Sequence, residues 1–170
     1  LDVSRSVHIR AATLADIPRL EWFGRFTHFR YLFRRAYHDQ LVGRRLMLVA
    51  DCSQFPIGCL FISFQSNRRA PDTDRACAYI YSLRVLEIFQ GHGIGTRLMI
   101  EAEKKILERE LTCAVIAVAK VNHGARRLYE RLGYEVYCDD PGHWHYTDHL
   151  GHVRYVSEPC WLLQKSIGLR

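Results

Sequence analysis

"FQGHGIGTRL", Phe89 to Leu98, places Gly91, Gly93 and Gly95 at alternate positions directly before a stretch of helical periodicity. Glycine tolerates positive φ and close backbone approach, so neighbouring N–H groups are free to converge on one ligand. A helix N-terminus behind them adds unpaired donors and a partial positive charge. The stretch therefore predicts a strand–loop–helix unit whose loop holds an anion, a phosphate above all.

Outward from this point the pattern is that of a mixed α/β chain. Ile94, Leu98, Ala102 and Ile106 recur every four residues and predict an amphipathic helix, with Glu101 and Lys105 as a helical pair. Before the glycines, "RACAYIYSLRVL" (75–86) is rich in aromatic and β-branched residues and reads as a strand. After the helix, "TCAVIAVAKV" (112–121) is a strand buried on both faces. Asn122 caps a further helix with an inner stripe of Ala125, Leu128, Tyr129 and Leu132, ended by Gly133.

The flanks complete the order. Val7 to Ala11 reads as a strand, and Thr13 as the N-cap of a helix carrying Leu14, Ile17 and Leu20, with Pro18 near its first turn. Trp22 to Gln40, crowded with aromatics and arginines, is expected to be helical. "RLMLVADCSQFPIGCLFISFQ" (45–65) predicts a hairpin, and "SNRRAPDTD" (66–74) a polar loop. "YEVYC" and "PCWLLQKSI" are terminal strands on either side of a polar, His-rich loop from Asp139 to His152. The order β-α-α-β-β-β-α-β-α-β-β, with no repeat or linker, suits one domain over residues 1–170.

Composition narrows the partners without choosing one. Apolar residues make up 48% of the chain, the ordinary globular level, which excludes wholesale disorder. The formal charge of +6 favours anionic partners: nucleic acid, a membrane surface or a multiply phosphorylated cofactor. No apolar run approaches a membrane span, and "LDVSRSVHIR" has no signal-peptide core. The six cysteines (Cys52, Cys59, Cys77, Cys113, Cys138, Cys160) are scattered without a C-x-x-C pair. They read as reduced, structural thiols of a cytoplasmic protein, ahead of a disulfide alternative.

Two common phosphate-binding designs are excluded. The pattern G-x-x-x-x-G-K-[ST] is absent, since no lysine follows Gly95. In G-x-G-x-x-G the third glycine falls later than Gly95, and the next strand, ending "VAKV", offers no carboxylate for a ribose. The fragment does fit Q-x-x-G-x-G through Gln90, Gly93 and Gly95. "NHGARRLYERLGY", Asn122 to Tyr134, fits N-x-x-A-x-x-L-Y-x-x-x-G-[FY] at every specified position. Together, in this order, the two segments resemble the GCN5-related N-acetyltransferase (GNAT) superfamily, whose members move an acetyl group from acetyl-CoA to an amine. The resemblance is strong over Tyr79 to Tyr134.

The resemblance implies a mostly antiparallel mixed sheet flanked by helices, with one splayed central strand pair. It implies that Gln90, Gly91, His92, Gly93, Ile94, Gly95 and Thr96 hold the pyrophosphate, as suits backbone amides at a helix start. It further implies that backbone groups of Leu83, Arg84 and Val85 pair with the pantetheine arm, that Asn122 contacts the cofactor, and that Tyr129 protonates the leaving thiolate. Glu87 departs from the family, standing where proline is frequent. The general base is left open: Ala117 occupies the place of a frequent family glutamate, while Tyr79 and Tyr81, Glu21, Glu87, Asp139 and the C-terminal histidines remain candidates.

His143, His145, His149 and His152 with Asp148 have spacings that suit zinc, but a polar loop of titratable imidazoles is the preferred reading and no metal is expected. Arg126 and Arg127 are read equally as solvated arginines or phosphate contacts. The expected function is direct acetyl transfer from acetyl-CoA to a small-molecule or peptide amine, without nucleic acid or membrane as partner. A non-catalytic acyl-CoA-binding sensor or scaffold is the alternative, and the oligomeric state is left open, a homodimer included.

Overall fold

The computed structural model describes residues 2–65 and 75–168; the expected polar loop 66–74 lies outside them. Strands β1 (Val7–Ala11), β2 (Arg45–Cys52), β3 (Phe55–Ser63), β4 (Ala78–Val85), β5 (Cys113–Ala119), β6 (Glu135–Asp140) and β9 (Cys160–Ser166) form one sheet in the order β1-β2-β3-β4-β5-β9-β6. Only β4 and β5 are parallel neighbours; every other pair is antiparallel. Strands β7 (His143–Thr147) and β8 (Val153–Ser157) make a separate two-stranded hairpin.

Period-2 alternation sorts the side chains between two layers. Leu48, Ala50, Leu60 and Ile62 face helices α3 (Ile94–Glu108) and α4 (His123–Arg131), whose Ile94, Leu98, Ala102, Ile106 and Tyr129 join the same core. Met47, Val49, Cys59 and Phe61 face the other way, against Ile17 of α1 (Asp16–Arg19) and Phe33 and Ala36 of α2 (Arg30–Leu41). The four-residue stripe of α3 is almost wholly removed from solvent, at 0–1% exposure.

Four expectations need correction. The chain is not helical throughout Trp22 to Gln40: Trp22 (φ 41), Phe23 (φ 58) and Gly24 (φ 96) break it, and α2 starts only at Arg30 after a 3₁₀ turn, Thr27–Phe29. The break buries the Trp22 ring and lets its Nε1 donate to the Pro56 carbonyl at 2.8 Å, a partner that a continuous helix would turn it away from. The helix after Thr13 is a single turn whose N-cap is Ala15, with Thr13 N and Oγ1 both donating to Asp16.

The stretch from Asp139 to His152 is not a loop. It supplies the end of β6 and all of β7, and Asp148 organises the β7–β8 turn by accepting from the amides of Leu150 and His152, both at 2.9 Å. Nor are all six cysteines reduced. Cys77 and Cys113 are bonded, with Cα atoms 4.5 Å apart, whereas Cys52 and Cys59 are free thiols. The register explains the pair: Ala78 stands opposite Ala114, so the preceding residues of the two parallel strands are neighbours despite 36 residues of separation. Among the described residues no helix is long and apolar enough to cross a membrane.

Candidate active site

Parallel pairing of β4 with β5 runs only from Ala78↔Ala114 to Ile80↔Ile116. Beyond these residues the strands part, and a cleft of about 620 Å³ opens between Tyr81–Val85 and Ile116–Ala119. A β-bulge helps to open it. Cys59 pairs with Arg84 and Phe61 with Tyr81, so Ser82 and Leu83 together oppose Leu60. Ser82 takes φ 55, a left-handed conformation that non-glycine residues hold only where the surroundings impose it. The extra residue reverses the alternation, turning Arg84 to the α2 side with Tyr81 instead of into the α3 core.

At the C-terminal end of β4 a 3₁₀ turn, Glu87–Phe89, leads into the glycine loop, and Gln90 Nε2 donates to the Val85 carbonyl at 3.0 Å. Gly91 (φ 80) and Gly93 (φ 76) are both left-handed, and Gly93 is the N-cap of α3. A Cβ built on either meets nothing within 4 Å, so conformation requires glycine there while the space above the loop stays open. Gly95 faces α4, where a Cβ would make an ordinary contact with Leu128 Cδ2 at 3.5 Å, so neither conformation nor packing demands glycine there.

The amides at the start of α3 have no carbonyl one turn earlier within the helix, and they front the cleft. Leu83, Arg84, Val85, Gln90, Gly91, Gly93, Ile94, Gly95, Thr96 and Asn122 all line it; His92 is exposed in the same turn without lining it. Asn122 caps α4, its Oδ1 accepting from Ala125 N at 3.1 Å.

Tyr129, 5% exposed, forms part of the cleft wall below these groups. Burial, with a smaller contribution from Tyr79, pushes its phenol up to about 12. The hydroxyl therefore keeps its proton at neutral pH and is a donor.

The other proton-handling candidates are accounted for. Tyr79 and Tyr81 share a face with stacked rings 5.5 Å apart, and the Tyr81 hydroxyl accepts from Arg45 Nη1. Glu21 is held by Arg30 at 2.8 and 2.9 Å, and Asp139 by Lys120 at 3.1 Å. Glu87 lies in the 3₁₀ turn and does not line the cleft. Arg126 is engaged by Glu130 at 2.9 Å.

A second cavity, about 550 Å³, lies on the α2 side of the sheet. Aromatic side chains, Phe29, Phe33, Phe61, Tyr79 and Tyr81, form one part of its wall beside Arg35, Arg45 and Arg84, and Trp144 of the β7–β8 hairpin lines it too. Trp144 and Tyr146 reach Phe29 with ring centroids 6.3 and 5.1 Å away. Of the four histidines, His143 lines this cavity. Asp148 is spent on its turn and on Arg154 (2.8 Å); among the described residues no three His, Cys, Asp or Glu side chains converge as a metal site would need.

Six residues line both cavities: Tyr81, Ser82, Arg84, Ala117, Ala119 and Glu158. Glu158 was not among the candidates read from the sequence. It sits between β8 and β9, fixed by its N–H donating to the Gly142 carbonyl at 3.1 Å. No periodicity marks such a residue; its one signal is the "EP" break between two strands.

The arrangement is thus two cavities meeting at a splayed strand pair, one fronting a glycine loop at a helix start and the other walled in part by aromatics. Residues 11–134 match the Acetyltransferase (GNAT) family, and the chain belongs to it. An uncharacterized N-acetyltransferase of Archaeoglobus fulgidus is 32% identical over 83 residues, which make up 49% of this chain and 55% of that protein. The match thus spans about half the length of that curated relative. Among solved structures, Arabidopsis thaliana NAA60 in complex with acetyl-CoA is similar with a TM-score of 0.72 and 20% identity, over 96% of this chain and 99% of that one. The ribosomal-protein-S18-alanine N-acetyltransferase of Escherichia coli gives 0.69 and 16%, over 96% of each chain. PaiA N-acetyltransferase of Thermoplasma acidophilum, in complex with coenzyme A, gives 0.69 and 17%, over 95% and 99%.

Proposed function

We propose that residues 1–170 form a single domain that transfers an acetyl group directly from acetyl-CoA to a primary amine. The observation that carries this reading is the parting of β4 from β5 after Ile80 and Ile116, between the glycine loop and Tyr129. The residues present fit the cosubstrate. Gly91 and Gly93 leave open space over a helix start, which suits a diphosphate, and the backbone of Leu83–Val85 beyond the bulge is released from β5 to pair with a pantetheine arm.

Bound acetyl-CoA supplies the thioester carbon that the amine attacks. The chain's part is to position and to move protons. A backbone N–H of β4 polarises the carbonyl oxygen, as preorganised donors do for developing charge. Tyr129, kept protonated by burial, gives its proton to the departing sulfur. Glu158, at the junction of the two cavities, takes the proton that the amine must lose. The aromatic cavity receives the acceptor, a small-molecule amine or a peptide N-terminus. The fold likeness to an enzyme named for the alanine of ribosomal protein S18, and to one that modifies the N-terminal serine of L7/L12, supports the peptide form. A cytoplasmic location belongs to this proposal; burial of Cys77 and Cys113, at 1% and 0% exposure, hinders their reduction there.

The test is release of free coenzyme A on mixing acetyl-CoA with a broad panel of amines, run beside calorimetric binding of coenzyme A. Transfer to any amine supports the reading. Binding without transfer supports instead the non-catalytic sensor, for which Ala117 in place of a frequent family glutamate is the specific observation.

A further inference from the structure

Arg84 is the one cation among the six residues shared by the two cavities. Its guanidinium lies over Phe26 and Phe29, 4.4 and 5.2 Å from the ring centroids. Its Nη1 is closed to solvent and without a hydrogen-bond partner. Its polar neighbours include the buried thiol of Cys59 and the His28 imidazole, and the positive charge of Arg25 opposes its own. Burial pulls the guanidinium below its ordinary value, with Cys59 countering. Arg45 of the same cavity, by contrast, is paired with Asp39 at 3.1 Å and with the Tyr81 hydroxyl.

A half-buried cation with an orphaned donor is costly, and ring faces offset only part of that cost. The bulge at Ser82 is what presents this side chain to the acceptor cavity. A planar guanidinium with a free N–H matches a carboxylate. The diphosphate is not the natural partner, because its cradle lies past Gln90 at the far end of the cleft. Glu158, the other charged residue at the junction, complements an ammonium.

We propose that the acceptor is an amine that carries a carboxylate near its reacting nitrogen, the carboxylate pairing with Arg84 and the apolar body lying among Phe29, Phe33, Phe61 and Trp144. This rests on the reading of the aromatic cavity as the acceptor site. The carboxylate belongs either to a free apolar amino acid or to an acidic residue next to a peptide N-terminus.

The experiment titrates paired probes into the protein saturated with coenzyme A: phenylalanine against phenylalaninamide, and an amidated Met-Glu dipeptide against its Met-Gln counterpart. Transfer rates from acetyl-CoA are measured on the same pairs. In at least one pair the acid should bind, and be acetylated where transfer occurs, about a hundredfold better than its neutral twin. Which pair responds distinguishes the free amino acid from the peptide. Arg84→Met should bring that ratio close to one, and Arg84→Lys should retain part of it; a separate titration with coenzyme A reports that each variant has folded. Equal handling of acid and neutral twin by the unaltered protein overturns the proposal, as does a preference that survives Arg84→Met. Binding preference without transfer would keep this inference while removing the enzymatic reading, so the two failures are separable.

Discussion

Reduction of the Cys77–Cys113 bond is the sharpest perturbation that the structure offers outside the cleft. The bridge closes a loop of 36 residues of separation, which includes β4, the glycine loop and α3. Constraining a loop of that length removes chain entropy from the unfolded ensemble worth about 4 kcal/mol. For a chain of 170 residues, each kcal/mol moves the melting temperature by about 2–4 °C, so a fall of about 8–16 °C is expected on reduction. The effect should reach the site, because the bridge adjoins the three residue pairs that hold β4 to β5 before they part. The assay is calorimetric melting with and without a thiol reductant, repeated on a Cys77→Ala/Cys113→Ala variant that should melt at the reduced temperature and ignore reductant. An unchanged midpoint in the unaltered protein, with six thiols titrating in the denatured, unreduced chain, would show that no such bond is present.

Tyr129→Phe should lower kcat by about a hundredfold or more with little change in the Kd for acetyl-CoA; stopped-flow turnover beside calorimetry checks both. Since burial raises the Tyr129 phenol to about 12, its protonated form contributes fully below the unfolded value of 10.0 and is lost as pH rises through about 12. The pH–rate profile should therefore show no falling limb from this group before that range. Asp148 behaves in the opposite sense. Desolvation opposes its charge, but the His152 amide, Arg154 and the Leu150 amide together hold its carboxyl down at about 2, so its contribution is present above 3.8 and lost as pH falls through about 2. Asp148→Ala should loosen the β7–β8 hairpin, read as faster hydrogen exchange at Leu150 and His152 and a raised KM for the acceptor. At Gly142 an added Cβ would stand 1.8 Å from the Glu158 carbonyl oxygen at φ 67, so Gly142→Ala should displace Glu158 and cost about 1–3 kcal/mol by denaturant melting.

What could be read in the chain was what repeats. The stripe Ile94, Leu98, Ala102, Ile106 and the run Cys113–Ala119 carry their burial in their spacing, and the glycine loop carries its conformation in its residue type. The misses share a different cause, since each depends on a partner distant in sequence. Trp22 and Phe23 leave the helical pattern because the Trp22 ring is held under Pro56, although Gly24 was a readable break. The bulge at Ser82 has no glycine to announce it and exists only in the pairing with β3. Cys77 and Cys113 become neighbours through parallel register alone. The turn of the β7–β8 hairpin is announced by Asp148 and Gly151, but its two strands are short and mostly exposed, so no buried stripe distinguishes them from a polar loop.

The proposed transfer depends on amides between Gln90 and Thr96 holding the diphosphate of coenzyme A while the parted strands carry its arm to Tyr129. Amide-resolved NMR reads this directly, with isotopically labelled protein titrated first with coenzyme A and then with pantetheine, which has no phosphate. Large downfield shifts are expected at Gly91, Gly93, Gly95 and Thr96 with coenzyme A and not with the truncated compound, while Leu83 to Val85 respond to both. Saturable binding that leaves the glycine-loop amides unmoved would contradict the proposal.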